Sequence, residues 1–283
     1  LTFEELKLLM NGLLKILNDA YYLDRDSFAR QFSSLVKDKL LNISCGSVHV
    51  VLLGGLFDSA QHLAYFMNDV PSKRNLSFDS NLNNALKTLQ KDDCICFFDD
   101  GAYSGKQVIS IFQELMGVPA EQRTTVEHHV NELCEDDKCL LRSTKIVLGY
   151  LCFNKNSEGY IKEELIKLGI TNVEICYNRD LSNKLFENTG VFSKNPKQRE
   201  IVMRCLSEVG EKILESTKKI DAETYKGRWD EKRVKTSALG YNDAQQMVVF
   251  YNNIPTYSLT PFWANGMVNK REWRGLFQCT DKD

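Results

Sequence analysis

The sequence predicts an α/β fold: a central, mainly parallel sheet flanked by helices, with an N-terminal helical cap and helical insertions. Three observations predict it. Short, mostly apolar runs at 48–53, 94–98, 145–151 and 173–177 read as strands, and the unbroken run 95–98 reads as buried, because strands covered on both faces lose the polar alternation of a half-exposed one. Between them lie segments with apolar residues at helical spacing, and strands alternating with helices give a parallel sheet. The chain has 283 residues, of which 43% are apolar and 26% charged, enough to bury a full core.

Taken in order, residues 1–45 form the helical cap. Thr2 and Glu5 make a capping box, and Leu6, Leu9, Leu13, Leu14 and Leu17 give an apolar helical stripe. A second stripe follows at Phe28, Phe32, Leu35, Val36 and Leu40. The core domain is expected over 46–180, with helical patterns at 57–68, 81–90, 107–116 and 160–168 and a helical insertion at 117–143. Residues 181–235 are polar and mostly helical and read as an insertion or lid. Ile201, Val202, Cys205, Leu206, Val209 and Ile213 line one face of it. The run Lys226–Lys235 is interrupted by Asp230 and Glu231 and reads as a solvated linker. Residues 236–283 supply a strand at Met247–Tyr251 and an aromatic plug of Trp263, Trp273 and Phe277, and are expected to complete the core.

Bulk properties narrow the function. A net charge of −2 and a pI near 6.2 leave no basic footprint, so no nucleic-acid signature is present. No apolar run reaches membrane-spanning length and no secretory signal opens the chain. The chain opens at Leu1 rather than Met, which reads as a start further upstream. Nine cysteines, several in apolar strand patterns, read as reduced thiols of a cytoplasmic protein. Cys134 and Cys139, near His128 and His129, lack zinc-knuckle spacing and have no second pair, so no metal site is expected there.

Residues 95–107, Ile-Cys-Phe-Phe-Asp-Asp-Gly-Ala-Tyr-Ser-Gly-Lys-Gln, carry the chemistry. Four apolar residues read as a strand, and Asp99 and Asp100 follow where that strand is expected to end. A small-residue loop then enters a helix that begins near Lys106. Loop and first-turn N–H groups lack intrahelical partners and point the same way, which makes an anion site. Paired carboxylates suit the hydroxyls of a sugar and a divalent ion. Together these describe a place for a ribose 5-phosphate. Upstream, the strand 48–53 ends at Gly54-Gly55, where the backbone can approach a ligand.

This segment resembles the phosphoribosyl-pyrophosphate (PRPP) motif of the type I phosphoribosyltransferases. The resemblance implies that Asp99 and Asp100 hold the ribose hydroxyls and, in part through water, Mg²⁺. It implies that Tyr103, Ser104, Gly105, Lys106 and Gln107 wrap the 5-phosphate, and that Gly54 and Gly55 form the pyrophosphate loop. Three segments in order are similar to a branch of such domains found in bacterial conflict and anti-phage systems. They are the Asp-Asp loop through Gln107, the Gly240-Tyr241…Gln245 segment, and Asn253-Ile-Pro…Leu259…Trp263. The likeness spans 48–278, with the insertions poorly matched, and adds Tyr241, Gln245 and Asn253 as candidates.

Two positions depart from the purine-salvage members of that family. Tyr103 stands where those enzymes carry an Asp near the nucleobase, and a phenol with pKa ~10 is a poor base. Leu53 stands where they carry Lys before the Gly-Gly. Between 69 and 94 the only clustered cations are Lys73 and Arg74. Base salvage is therefore not expected. The resemblance implies a phosphoribosyltransferase-like protein binding PRPP, a related ribose phosphate or a nucleotide such as NAD, with Mg²⁺, as a transferase or nucleotide-cleaving defence effector. The alternative is a catalytically silent module of the same fold that senses a nucleotide or binds a protein partner or regulator.

Overall fold

The computed structural model describes residues 1–53, 66, 76–79, 81–124, 130–220, 231–251 and 253–277. The strands are β1 (Tyr21–Leu23), β2 (Val48–Leu52), β3 (Leu76–Asp79), β4 (Cys94–Ala102), β5 (Lys145–Phe153), β6 (Val173–Asp180), β7 (Val248–Phe250), β8 (Gly266–Val268) and β9 (Arg271–Trp273). The helices are α1 (Phe3–Asp19), α2 (Arg25–Asp38), α3 (Leu82–Thr88), α4 (Lys106–Leu115), α5 (Glu135–Ser143), α6 (Glu158–Lys167), α7 (Pro196–Ile220), α8 (Glu231–Ser237) and α9 (Thr260–Trp263). Contacts divide the chain into two units, residues 29–182 and residues 1–28 with 183–283.

The unit of residues 29–182 holds a five-stranded sheet of order β3-β2-β4-β5-β6. Every pairing in it is parallel. The α/β class read from the sequence is the fold observed. Strand residues at alternate positions face one layer of helices: Val51, Ile95, Phe97, Ile146 and Leu148 pack with Ala85 of α3, Phe112 of α4, Leu141 of α5 and Ile161 of α6. On the opposite face Phe32 of α2 meets Phe98 edge-on, with ring centroids 4.9 Å apart. The cysteines of β4 and β5 are buried free thiols, filling strand positions as small apolar groups.

The described strands differ from the sequence expectation in two ways that matter. β3 was missed: Leu-Ser-Phe-Asp is short and half polar, and as the edge strand it is only half-buried. β4 does not end before the carboxylates. It continues through Asp99, Asp100 and Gly101 to Ala102, because β5 offers a partner residue along its whole length, out to Phe153. Two acidic residues interrupt an apolar run without interrupting the backbone ladder. Of the expected helix over 57–68, only Phe66 lies within the described residues, and it is helical.

The other unit is built on α1 and α7, which run antiparallel. Glu5 approaches Arg204, and Lys15 donates to Gln198 at 3.0 Å. A Cβ at Gly12 would overlap the Val202 side chain, so the helices approach through the missing side chain. Ile16, Phe192, Val202, Leu206, Met247, Leu259 and Phe262 form the core, with Trp263 and Phe277 against it. That places two members of the expected aromatic plug. The third, Trp273, donates its indole N–H to the Pro261 carbonyl. Residues 236–283 do not join the five-stranded sheet: β7 pairs in parallel with β1, Tyr21 opposite Val248. A three-residue strand between α1 and α2 leaves too weak a sequence pattern to identify, so that partner could not be foreseen. The whole tail belongs to the unit that contains α1 and α7.

Candidate functional site

β2 and β4 are neighbours in the sheet, yet the chain leaves β2 toward β3 on one side and returns to β4 on the other. Strand order therefore reverses between them. In open parallel sheets the crevice beyond the carboxyl ends at such a switch point is where ligands bind, because connections diverge there and leave the strand ends uncovered. At this place β2 ends with the Leu53 N–H donating to the Phe98 carbonyl at 2.8 Å, immediately before Asp99. The first two candidates thus lie at the switch point.

Asp99 and Asp100 are both buried, at 4% and 6% exposure. The Asp99 Oδ1 accepts the Asp100 N–H at 2.8 Å. Successive strand residues project to opposite faces, and the two carboxylates act on different neighbours. Burial and then the Asp99 charge push the Tyr150 hydroxyl well above the ordinary tyrosine range. Burial and then Asp100 do the same to the Cys152 thiol. Tyr150 lies opposite Asp99 in the ladder and stacks on Phe153 at 5.3 Å. Its hydroxyl is fully enclosed and has no hydrogen-bond partner among the described residues.

The loop after β4 turns through Tyr103 and Ser104 into α4. Tyr103 is buried, Ser104 and Lys106 are half-buried, and Gln107 is exposed. Gly105 caps the helix in the left-handed region, φ 72°. Its carbonyl accepts the Ile109 N–H at 3.1 Å, so the helix ladder starts there. The Ser104 hydroxyl accepts the Lys106 N–H at a long 3.4 Å. The first-turn N–H groups of α4 have no intrahelical partner and carry the positive end of the helix dipole. Residues Asp99 to Gln107 are thus continuous in space as well as in sequence. Gly54 and Gly55 lie outside the described residues.

Sequence reasoning passed over the ends of β5 and β6. Asn154 donates its N–H to the Ala102 carbonyl at 3.0 Å, and Asp180 Oδ1 accepts the Ser182 N–H at 2.8 Å. Both lie at the carboxyl rim of the sheet. The signal was the polar stretch Asn154-Lys155-Asn156 directly after an apolar strand.

The remaining candidates have other surroundings. Tyr241, Gln245 and Asn253 belong to the unit that contains β7. Asn242, Asp243 and Gln245 all have positive φ, a turn that costs about 1–3 kcal/mol at each such residue. It is held by Lys184 on Asp243 at 3.0 Å and by Gln245 donating to Asp243 at 3.0 Å. Asn253 pairs with Phe250 in an isolated bridge. Cys134 and Cys139 are exposed free thiols. His128 and His129 lie outside the described residues. Among the described residues no three His, Cys, Asp or Glu side chains converge as a metal site, and no helix is long and apolar enough to cross a membrane.

No curated protein and no solved structure matches the chain. A protein-family model does, and it spans almost the whole chain, including the Asp99–Gln107 segment and both units. The chain belongs to the PRTase-CE family, whose model matches residues 3–278, and is a phosphoribosyltransferase-like protein.

Proposed function

We propose that this protein binds a phosphorylated ribose, as PRPP or a nucleotide, at the carboxyl ends of β2 and β4. One observation carries the reading: Asp99, Asp100 and the Gly105-capped start of α4 stand together at the point where strand order reverses. An anion gains most where unpaired N–H groups and the positive end of a helix dipole converge. The backbone N–H groups of 104–107, the Ser104 hydroxyl and the Lys106 ammonium would hold the 5-phosphate. Asp99 and Asp100 would accept from the ribose hydroxyls and orient C1 of the sugar for attack. Positioning of this kind supplies much of the rate in such a displacement.

Mg²⁺ fits the donor set to a limited degree. Two carboxylates are hard oxygen ligands, and with no third acidic or imidazole side chain among the described residues the ion's remaining ligands would be water and phosphate oxygens. When bound, it would neutralise charge on a leaving pyrophosphate.

A second reading, a nucleotide sensor without turnover, draws on two side chains. Leu53 is buried at the end of β2, where a cation would otherwise face the pyrophosphate. Tyr103 is buried at the position suited to a base near the acceptor. A defence role rests on the resemblance to conflict-system domains, and phage challenge of cells expressing the protein or its Asp99→Asn/Asp100→Asn variant tests it.

Calorimetric titration with PRPP, ribose 5-phosphate, ATP and NAD, with and without Mg²⁺, followed by product analysis, tests the binding reading. The double variant should lose binding at least tenfold. The single variants should differ from each other, because the two carboxylates serve opposite faces. Turnover selects the enzyme, and binding without turnover selects the sensor. If the double variant binds all four ligands as the parent does, the site is misassigned.

A further inference from the structure

We infer that the outer face of α1 is a two-fold contact between two copies of this chain. Helix α1 is apolar around more of its circumference than its own unit can cover. Leu9, Leu13 and Ile16 turn toward the core, and Leu17, at its edge, packs one side against the core and stays half-exposed on the other. A second row does not: Phe3 is 79% exposed, Leu6 47%, Met10 59% and Leu14 55%. At 100° per residue these four side chains fall within about 80° of one another, a single stripe running the length of the helix. Lys7, Asn11 and Asn18 border it on one side and are exposed.

Spacing decides the occupant. Phe3, Leu6, Met10, Leu14 and Leu17 lie at −7, −4, 0, +4 and +7 from Met10. The row is a palindrome about Met10. In a two-fold contact residue i meets j and j meets i. An antiparallel pair of α1 helices centred on Met10 therefore sets Phe3 on the partner's Leu17, Leu6 on the partner's Leu14, and Met10 on the partner's Met10. Every apolar side chain meets an apolar one, over a stripe about 20 Å long. A parallel pair would gain nothing from this symmetry.

The area agrees. With about 150–200 Å² per large side chain, the exposed fractions leave roughly 400 Å² of apolar surface in one row. A patch of that size is at the scale that marks an interaction site. Two copies with their bordering residues would bury roughly 1,000–1,200 Å², the lower end of a specific interface. The expected dimer is thus reversible. The flanking charges do not favour a lipid surface: Glu4 and Glu5 offset Lys7 and Lys15, whereas a membrane-lying helix carries a basic polar face.

Sedimentation of the full chain across a concentration series reads the oligomeric state. The parent should pass from monomer to dimer, and Met10→Glu, which sets two carboxylates face to face on the axis, should weaken association at least tenfold. Because Met10 is exposed, that variant should melt as the parent does. Cross-linking reads the register: Met10→Cys should link to its own copy under mild oxidation, and Leu6→Cys should link efficiently only when mixed with Leu14→Cys. Asn18→Cys and the parent serve as background for the native thiols. A parent that stays monomeric throughout overturns the inference, whether or not it then floats with lipid vesicles. So does linking of Met10→Cys no faster than Asn18→Cys, or self-linking of Leu6→Cys as efficient as its mixture with Leu14→Cys. None of these outcomes bears on ligand binding at Asp99 and Asp100.

Discussion

Replacing Gly105 with alanine should destabilise the unit that carries the candidate site, by an amount the geometry sets. Two penalties arise. At φ 72° an L-residue with a Cβ crowds the following carbonyl and costs about 1–2 kcal/mol. The new Cβ would also stand 2.7 Å from the Ile161 Cδ1 and nearer still to its Cγ1. Ile161 is fully buried against Leu165 and the β5 face, so it cannot swing aside. Forcing an extra carbon into such a core adds about 1–3 kcal/mol. Together the loss is about 2–5 kcal/mol, a fall in urea midpoint of roughly 1–2.5 M for an m-value near 2 kcal/mol/M. Urea unfolding followed by circular dichroism reads it. Adding Ile161→Ala should relieve the overlap but not the backbone strain, so the double variant should lose less than the two single losses combined, by about 1 kcal/mol. Stability of Gly105→Ala within about 0.5 kcal/mol of the parent, or strict additivity with Ile161→Ala, would refute the reasoning.

Three further predictions concern other parts of the structure. Ser258 is fully buried, and its hydroxyl accepts the Val248 N–H at 3.1 Å and donates to the Val248 carbonyl at 2.8 Å. Ser258→Ala strands both backbone groups and should cost about 1–3 kcal/mol in thermal unfolding; an unchanged melting temperature would contradict it. Tyr150→Phe removes a hydroxyl that has no partner among the described residues. It should leave stability equal or raise it by up to about 1 kcal/mol, and a loss beyond that in urea melts would mean the hydroxyl is engaged. Asp93 is opposed by burial, yet the N–H groups of Gln90 and Ser47, at 2.8 and 2.7 Å, together with His49 hold its carboxyl below the usual value of 3.8. A depressed folded-state value gives stability that is present above about pH 4 and lost as pH falls through the folded value. Asp93→Asn should therefore flatten the acid limb of stability against pH below about pH 4, and an identical limb in parent and variant would contradict the assignment.

How much was legible depended on where the information lay along the chain. The apolar runs of β2, β4 and β5 declared buried parallel strands, since no water-facing strand stays apolar for so many consecutive residues; β6, an edge strand that is mostly half-buried, was legible from the run 173–177. Thr2 and Glu5 announced the start of α1, and the cap forms as read, with the Glu5 N–H on the Thr2 hydroxyl at 3.2 Å and the Thr2 N–H on Glu5 at 2.8 Å. The Asp99–Gln107 segment was legible because all its parts are contiguous: a strand end, a Gly and a helix start need no distant partner to be recognised.

Tertiary structure decided what depends on pairing. Whether β4 stops at Phe98 or runs to Ala102 is set by the length of β5, fifty residues away in sequence. A local pattern reads the two aspartates as a break because it sees side chains and not the ladder. β1 and β7 are each three residues long and meaningful only to one another. Their pairing takes the tail out of the five-stranded sheet that its strand pattern invited it to join. The switch point between β2 and β4 likewise required β3, whose edge position tolerates a half-polar sequence. Leu6 and Leu14 of the outer row of α1 were readable, together with Leu9, Leu13 and Leu17, as leucines at helical spacing. Only folding showed which of them the core leaves uncovered, since helical periodicity fixes the angle between side chains and not the surface that meets them.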